Sequence, residues 1–285
     1  MIRAILVLLA VLVWTLVLLP VQIFAVRFSR RELAETIPVV YHRGLAWLMR
    51  VKVRTVGEMS RTRPTLFVAN HISWLDIVVF DTLIRGSYVT KREVMGWPGF
   101  GTLAKLQRCV FIERKAHRTK DHKDEMQVRL EQGDNLILFA EGTSSDGMRI
   151  LPFKSSFFAL AEQPVNGQAL TVQPVSIAYC RLNGLPVGRR WMHIFSWTGD
   201  ESLVPHLWRF LRSGPSVVEV AFHQTVTIDS FVSRKDMAAW CQEVVGYGVS
   251  AGLTGRPVPN VPLPERPARK AAAAPAAAAP VTAVS

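Results

Sequence analysis

Apolar and polar positions alternate along most of this chain in blocks that predict strands separated by helices. Five short apolar runs have the length and the residue types of buried strands. They lie at residues 66–69, 109–112, 136–139, 171–178 and 217–222. Polar helical stretches lie between them, such as residues 121–132, which Gly133 follows at a typical helix end. This alternation predicts an α/β fold, with a single domain whose sheet is flanked by helices.

The N-terminal pattern differs, because residues 4–26 contain no charged side chain and are mostly Leu, Val and Ile. Such a run is long enough to span a bilayer or to lie deep in one leaflet. Pro20 is expected to break or kink the helix near its end. A cleaved signal peptide is the alternative, but the run is long for one and no small-x-small cleavage pattern precedes Arg27. We therefore predict a retained, membrane-embedded helix.

A second apolar segment, residues 37–49, is interrupted by His42 and Arg43 and is too polar to cross a membrane. It suits an interfacial helix, and an amphipathic helix packed on the domain is the alternative. Arginines flank the first apolar run unevenly, with one before it and three shortly after it. The positive-inside rule therefore predicts that the body of the protein lies on the cytoplasmic face of the membrane.

These patterns divide the chain into three parts. Residues 1–54 are predicted to form the membrane anchor and the interfacial helix, and residues 55–250 the α/β domain. Residues 251–285 are rich in Pro and Ala and offer little to bury, so that we predict a disordered tail there.

Charge and cysteine content narrow the possible partners. The formal net charge is +12, from 34 Lys and Arg against 22 Asp and Glu, which favours nucleic acid, anionic lipid or acidic substrates. The N-terminal anchor favours membrane lipids, and no nucleic-acid-binding module is recognisable, so we expect no nucleic-acid partner. The three cysteines are far apart and the seven histidines form no tight cluster, so we expect neither a disulfide framework nor a metal site.

The six residues from His71 to Asp76 carry the clearest chemical signal, directly after the predicted strand at residues 66–69 and Asn70. Five positions on an uninterrupted helix differ in direction by about 140°, so these two side chains are not stacked helix neighbours. With His71 at the strand end and Asp76 in the following turn, the carboxylate can hold one ring nitrogen. The other nitrogen is then free to take a proton from a substrate hydroxyl. A capping Asp near a surface His is the alternative.

Further blocks follow in a fixed order. They are Lys91-Arg92-Glu93, Gly96-Trp97-Pro98-Gly99-Phe100-Gly101, Phe111-Ile112-Glu113-Arg114, Phe139-Ala140-Glu141-Gly142-Thr143, Leu151-Pro152-Phe153-Lys154 and Val172-Gln173-Pro174-Val175-Ser176-Ile177. Together with the His71 block, this succession resembles the glycerolipid acyltransferase family, in particular its 1-acyl-sn-glycerol-3-phosphate (lysophosphatidic acid) acyltransferases. The resemblance covers residues 66–177 and extends more weakly to residue 222.

The resemblance implies a membrane-bound O-acyltransferase at the cell inner membrane. It would move a fatty acyl group from acyl-CoA or acyl carrier protein to the hydroxyl of a lysophospholipid, chiefly 1-acyl-sn-glycerol-3-phosphate, without a cofactor or a metal. His71 would be the general base and Asp76 would orient it. The implied substrate-binding residues are Asn70, Ser73, Trp74, Lys91, Arg114, Glu141, Gly142 and Thr143.

Among these, Arg114 and Lys91 would hold the acceptor head group, and Glu141 would pin its loop or contact the acceptor. A surface salt bridge is the alternative for Arg114. The developing oxyanion needs hydrogen-bond donors, and backbone N–H groups near Gly142 and Thr143 or around Ser73 are candidates.

One position departs from the lysophosphatidic acid branch. Members of that branch usually have an arginine directly after Glu-Gly-Thr, where it is a natural bidentate partner for a phosphate. Here that position is Ser144, and the form Glu-Gly-Thr-Ser-Ser-Asp-Gly resembles the subgroup of bacterial lyso-ornithine lipid acyltransferases. The acceptor of that subgroup has no phosphate, so lyso-ornithine lipid is the alternative acceptor.

Two other classes of protein are weighed against this one. A serine hydrolase needs a nucleophile in a Gly-x-Ser-x-Gly frame, and the serines near the motifs, Ser73, Ser144 and Ser145, lack it. A membrane-anchored lipid-binding protein without catalysis would be favoured if His71 or Asp76 were missing, and both are present.

Overall fold

The structure, a computed structural model, describes residues 1–91, 95–96, 99–112, 119–199 and 201–264. The helices are α1 (Ile2–Arg27), α2 (Arg31–Leu48), α3 (Leu75–Asp81), α4 (Phe100–Leu106), α5 (Thr119–Glu131), α6 (Arg189–Met192), α7 (Leu203–Arg212) and α8 (Arg234–Thr254). The strands are β1 (Val51–Val56), β2 (Thr65–Ala69), β3 (Ser87–Lys91), β4 (Val110–Ile112), β5 (Leu136–Phe139), β6 (Thr171–Leu182), β7 (Leu185–Pro186) and β8 (Ser216–Phe222).

The strands form one mixed sheet in the order β1-β8-β6-β2-β5-β3-β4, with β7 paired to β6. Most neighbours are parallel, whereas β8 and β7 run antiparallel to β6. Every residue of β2 is buried, which is typical of a strand in a sheet covered on both faces. The predicted α/β fold with a sheet flanked by helices is confirmed.

Two apolar cores lie on opposite faces of the sheet. Alternate residues of β2 divide between them, with Phe67 in the core beside α2 and α3 and Leu66 and Val68 in the core beside α8. The β6 side chains of Val175, Ile177 and Tyr179 belong to the first core. This alternation aims one face of β6 at the segment that follows β2, where the His71 motif lies.

Helix α1 is the one helix in the described ranges that is long and apolar enough to cross a membrane, and it indicates membrane association. The helix continues through Pro20 to Arg27, so the break expected at Pro20 is absent. It packs on α2, where the Trp14 indole donates to the Tyr41 carbonyl (3.1 Å) and lies directly against Gly44. Most of its other apolar side chains are exposed.

Helix α2 fits one alternative for the second apolar segment, an amphipathic helix packed on the domain. It packs on the domain through Ala34, Val39, Leu45 and Ala46, yet Trp47 is 79% exposed. The helix is therefore a packed element that leaves one large aromatic side chain free.

Both predicted domain boundaries need correction. Strand β1 spans the boundary at residue 54 and pairs with β8 over its full length, so the first part is not separate from the sheet. At the other end, α8 continues to Thr254 and ends at Gly255 in the left-handed conformation (φ 70°). Residues 256–264 then return to the domain, because the Trp240 indole binds the Pro262 carbonyl (3.1 Å) and Leu263 packs on the core. Residues 265–285 lie outside the described residues.

Candidate active site

The turn between β2 and α3 brings His71 and Asp76 together, as their spacing predicts. The Nδ1 atom of His71 lies 2.8 Å from Oδ2 of Asp76. That carboxylate oxygen also accepts the backbone N–H groups of Ile72 (2.6 Å) and Ser73 (2.9 Å), which folds the turn around it. Asp76 is fully buried, whereas the His71 side chain is 20% exposed. A buried carboxylate on Nδ1 fixes the tautomer with its proton there, so Nε2 is the unprotonated nitrogen.

The second oxygen of Asp76 is held by a residue that the sequence analysis missed. The Tyr179 hydroxyl in β6 donates to Oδ1 (2.6 Å), and its ring stacks on Phe195 at 4.7 Å. Burial raises the pKa of Tyr179 well above its ordinary value, so the phenol keeps the proton that it donates. Both carboxylate oxygens are thus bonded and the orientation of Asp76 is fixed.

The Glu-Gly-Thr loop clamps the backbone and ring of His71. The His71 ring stacks on Phe139, with 4.0 Å between ring centroids. Its backbone N–H donates to Oε1 of Glu141 (3.0 Å), and its carbonyl accepts both the N–H and the hydroxyl of Ser145 (2.8 and 3.0 Å). None of the described residues bonds Nε2 of His71, so the clamp leaves the unprotonated nitrogen available.

Glu141 is itself a perturbed group. Burial raises the pKa of its carboxyl to about 8, from an ordinary value of 4.5. In the folded protein the carboxyl therefore keeps its proton over a range in which the unfolded chain loses it. The folded state binds more protons than the unfolded state between these two values, so this group favours folding most at low pH. The contribution is lost as the pH rises from about 4.5 to about 8.

We expect Glu141→Gln to remove this pH dependence, because glutamine is neutral at every pH and its amide oxygen can still accept the His71 N–H. Thermal unfolding of the detergent-solubilised chain should show a Tm above that of the wild type near pH 8. The difference should shrink as the pH is lowered towards 4.5. Glu58→Gln is the matched control, because Glu58 is exposed. A Tm difference between Glu141→Gln and wild type that stays constant with pH would contradict the expectation.

Two predicted substrate-binding residues, Asn70 and Ser73, make contacts within the protein. Asn70 is buried, and its amide donates to and accepts from the backbone of Ile177 (3.1 and 2.9 Å), which joins the end of β2 to β6. Ser73 is also buried, and its hydroxyl accepts the Leu75 N–H at the start of α3 (3.3 Å). These contacts give Asn70 and Ser73 roles in shaping the turn that carries the dyad.

Trp74 is held by a second histidine that the sequence analysis did not single out. Its indole N–H donates to Nδ1 of His206 in α7 (3.0 Å), and Nε2 of His206 faces the Ser196 carbonyl (3.0 Å). Burial lowers the pKa of His206, which favours the neutral ring that this bonding requires. The segment between β6 and β8 therefore fixes the orientation of the tryptophan within the His71 motif.

Gly142 is required at its position for two reasons. Its φ of 69° is in the left-handed region, and a β-carbon there would lie 2.6 Å from Nζ of Lys154. Its N–H donates to the Phe139 carbonyl (3.0 Å), and the Ser73 N–H is committed to Asp76. Of the three backbone donors considered for the oxyanion, the Thr143 N–H alone has no partner among the residues described.

Ser144 occupies the position where the lysophosphatidic acid branch usually has an arginine. It is hydrogen-bonded to the segment between β6 and β8. Its hydroxyl donates to the Trp197 carbonyl (2.5 Å), and the Trp197 N–H donates to the Ile72 carbonyl (3.0 Å). The loop after Glu-Gly-Thr and the His71 motif therefore meet at one backbone position.

The structure gives the least information on Lys91 and Arg114, the two residues predicted to bind the acceptor head group. Lys91 is the last residue of β3, where its backbone is paired with Ile112. Arg114 lies outside the described residues. Their predicted roles stay predictions.

A Gly-x-Ser-x-Gly sequence does occur away from the motifs, at Gly248 to Gly252. It lies inside α8 and not at a strand-to-helix turn, and Ser250 is exposed. Gly248 and Gly252 face the sheet, where a β-carbon would meet Ser176 and Ala178. The two glycines thus serve close helix-to-sheet packing, and this sequence is not a nucleophile elbow. Within the described ranges, no group of three or more His, Cys, Asp or Glu side chains is arranged to hold a metal.

Comparisons with known proteins identify the family of this chain. A family model described as Acyltransferase matches residues 50–178. The lyso-ornithine lipid O-acyltransferase of Brucella abortus is 39% identical over 90% of this chain and 98% of its own. The enzyme of the same name from Rhizobium meliloti is 39% identical over 85% of this chain and 84% of its own.

A different acceptor is named for other similar proteins. A 1-acyl-sn-glycerol-3-phosphate acyltransferase of Neisseria gonorrhoeae is 34% identical over 37% of this chain and 43% of its own. The crystal structure of the 1-acyl-sn-glycerophosphate acyltransferase PlsC from Thermotoga maritima has a TM-score of 0.60 at 21% identity. It covers 87% of this chain and 96% of that chain, and shows the same fold.

The fold and the comparisons define an α/β acyltransferase. The chain belongs to the acyltransferase family, and its relatives include lyso-ornithine lipid and 1-acyl-sn-glycerol-3-phosphate acyltransferases.

Proposed function

We propose that the chain transfers a fatty acyl group from a thioester, acyl-CoA or acyl carrier protein, to a lysolipid hydroxyl, with His71 as general base. The observation that carries this mechanism is the buried Asp76 carboxylate 2.8 Å from Nδ1 of His71, with Nε2 left unbonded by the described residues. Nε2 takes the hydroxyl proton as the lysolipid oxygen attacks the thioester carbonyl. The C–S bond then breaks, and the leaving thiolate receives the proton from the imidazolium.

Other residues support this step. Asp76 orients His71 and balances the charge of the imidazolium, while Tyr179 holds the far oxygen of Asp76. The Thr143 N–H is the proposed donor to the developing oxyanion, because the N–H groups of Gly142 and Ser73 are already bonded. Asn70, Glu141 and Trp74 position the loops around the dyad.

We propose lyso-ornithine lipid as the acceptor. Ser144 supports this choice, because a short hydroxyl bonded to the Trp197 carbonyl offers no cation for a phosphate. The relatives from Brucella abortus and Rhizobium meliloti, which match most of this chain, carry that name. Lysophosphatidic acid is the second candidate. It is favoured by Lys154, whose Nζ lies close to Gly142 within the loop, and by the relative from Neisseria gonorrhoeae.

A side-by-side assay of the purified full-length chain tests the acceptor. We expect kcat/KM for lyso-ornithine lipid to exceed that for lysophosphatidic acid by at least about tenfold, or about 1.4 kcal/mol. Ser144→Arg should shift the preference towards lysophosphatidic acid by about tenfold, since a charge-assisted hydrogen bond contributes about 1.5–3 kcal/mol. Ser144→Met is the matched control, because it also removes the bond to Trp197 but adds no charge.

Acylation of lysophosphatidic acid but not of lyso-ornithine lipid by the wild type would overturn the proposed acceptor. In that case Lys91 and Arg114 must hold the phosphate. Arg114→Ala should then raise the KM for lysophosphatidic acid by about tenfold or more.

We further propose that the chain lies on the cytoplasmic face of the inner membrane with α1 embedded in one leaflet. Helix α1 is about 39 Å long at 1.5 Å per residue, and both of its ends are held by the domain. Near the start, Arg3 donates to the Ser213 carbonyl, and near the end Gln22 donates to the Leu106 carbonyl (2.8 Å). A helix fixed along the domain in this way favours insertion parallel to the membrane over a crossing.

Embedding of α1 predicts that membranes carrying the full-length chain retain it through a high-salt wash and release it in detergent. Exposed charges alone are screened within about 10 Å at 0.1 M salt, so binding through them would be reversed by salt. Replacing the exposed apolar residues Leu9, Val13 and Leu16 by Ser should make the chain extractable by salt. Release of the wild type by salt alone would show that α1 is not embedded in the membrane.

A further inference from the structure

A broad groove lies along helix α2, and neither His71 nor Asp76 belongs to its lining. It has a volume of about 820 Å³ and opens between the second half of α2 and the start of β1. Its lining includes Arg43, Trp47, Arg50 and Lys52, with Thr82 and Leu83 beyond the end of α3. No acidic residue from the described part of the chain contributes to this lining.

The cations of the groove are not neutralised by nearby acids. Arg43, Arg50 and Lys52 form no salt bridge with any carboxylate of the described residues. Arg43 donates through Nε to the Thr82 carbonyl (2.9 Å), and its terminal nitrogens have no hydrogen-bond partner among the described residues. Arg3 at the start of α1 lies close enough to Arg50 for their charges to repel. Uncompensated cations gathered in this way favour an anionic ligand.

The surroundings of the groove are apolar on the side of α1. Trp47 on its edge is 79% exposed, and tryptophan is enriched at the headgroup level of membranes. The start of α1, which carries Arg3, also exposes Ile2, Ile5 and Leu6. A cationic groove beside an exposed tryptophan and an exposed apolar helix has the charge and apolar surface of a lipid-facing site.

We propose that this groove binds the phosphate headgroup of an anionic phospholipid from the leaflet in which α1 lies, through Arg43, Arg50 and Lys52. The inference rests on the membrane association of the chain and not on the acyl-transfer mechanism or the acceptor. It adds a lipid site that is separate from the lysolipid hydroxyl at His71. An anionic lipid held there fixes the angle at which the α1–α2 pair lies in the membrane.

Quenching of Trp47 fluorescence tests the groove. The full-length chain is placed in phosphatidylcholine nanodiscs that contain equal small shares of brominated phosphatidylglycerol or brominated phosphatidylcholine. The contribution of Trp47 is the emission of wild type minus that of Trp47→Phe. We expect the brominated phosphatidylglycerol to quench this contribution about threefold more strongly than the brominated phosphatidylcholine, because each nearby cation attracts the anionic lipid.

Three combined variants distinguish a specific lipid site from non-specific electrostatic attraction of anionic lipid. Combined Arg43→Gln, Arg50→Gln and Lys52→Gln should make the two brominated lipids equal quenchers. Combined Arg61→Gln, Lys235→Gln and Arg256→Gln removes the same charge from exposed positions outside the groove lining and should keep the preference. Combined Arg43→Lys and Arg50→Lys keeps the positive charges and should also keep most of the preference for brominated phosphatidylglycerol.

Three outcomes would overturn the proposal. The first is equal quenching by both lipids in the wild type, and the second is equal loss of preference in the two triple variants. The third is loss of the preference on adding acyl-CoA or acyl carrier protein, which would assign the groove to the donor. Acyl transfer measured in parallel in pure phosphatidylcholine nanodiscs shows whether the active site is intact, so that a failed mechanism and a failed lipid site are told apart.

Discussion

His71→Ala is expected to lower kcat for acyl transfer by at least about 10²–10⁴-fold, the usual contribution of a general base. His71 is the histidine whose Nδ1 is held by the buried Asp76, while Nε2 is unbonded by the described residues. Without the ring, no group at this position takes the proton of the attacking hydroxyl. The measurement is transfer of labelled acyl chains from acyl-CoA to a lysolipid by the purified chain in mixed micelles.

Two further variants make this result specific. His193→Ala removes an exposed histidine in the same chain and should leave kcat unchanged. His71→Phe keeps the stacking on Phe139 and should preserve the Tm while losing activity as His71→Ala does. If a pure preparation of His71→Ala retained a tenth or more of the wild-type rate, another residue would have to be the base.

The dyad was predictable from the sequence because it is local. His71 and Asp76 lie within one turn after a strand with four consecutive apolar residues, Leu66–Ala69, so spacing alone limits their arrangement. Tyr179 and His206 were not predictable, since they reach the motif from 103 and 132 residues away. Their positions depend on strand order and on the packing of the segment after β6, which a single sequence does not encode in a readable pattern.

Strand β1 was not predicted from the sequence, and this too has a physical explanation. In β1 the side chains of Lys52, Arg54 and Thr55 are polar, as suits the edge of the sheet, so no apolar run marks it. The C-terminal boundary was placed too early for a similar reason. A Pro-rich segment has little to bury, yet the hydrogen bond from the Trp240 indole and the packing of Leu263 on the core are enough to hold residues 256–264.

The apolar pattern of α1 was clear from the sequence, but its orientation was not. Hydropathy and length fit a helix that crosses the bilayer and one that lies in a leaflet equally well. The proposed orientation in one leaflet rests on two polar contacts, from Arg3 and Gln22 to backbone carbonyls of the domain. Such contacts carry no sequence periodicity.

Asp76→Asn is expected to reduce kcat by about 10³-fold, and the structure indicates which property is lost. Oδ2 accepts the N–H groups of Ile72 and Ser73 as well as the His71 proton, so the amide oxygen of asparagine will take that place. The amide NH₂ then faces the Tyr179 oxygen, which can accept a hydrogen bond. The tautomer of His71 is therefore preserved, and what disappears is the negative charge that balances the imidazolium.

The size of that loss follows from the charge. A pair of unit charges about 4 Å apart at an effective dielectric constant of 20 interacts by about 4 kcal/mol, or about 10³ in rate. Tyr179→Phe removes one hydrogen bond to Asp76 and should lower kcat by only about tenfold, with KM unchanged. If Asp76→Asn lost no more activity than Tyr179→Phe, Asp76 would be a structural partner of the turn and not the counter-charge.

The double variant Asp76→Asn with Tyr179→Phe separates charge from orientation. In the single Asp76→Asn variant the Tyr179 oxygen accepts the amide NH₂ and keeps the amide oxygen towards His71. Phenylalanine cannot accept, so the amide loses this restraint and can turn its NH₂ towards Nδ1, which stabilises the wrong tautomer. We therefore expect the double variant to lose more than the product of the two single effects. A double variant as active as Asp76→Asn alone would show that the two backbone N–H groups fix the side chain without Tyr179.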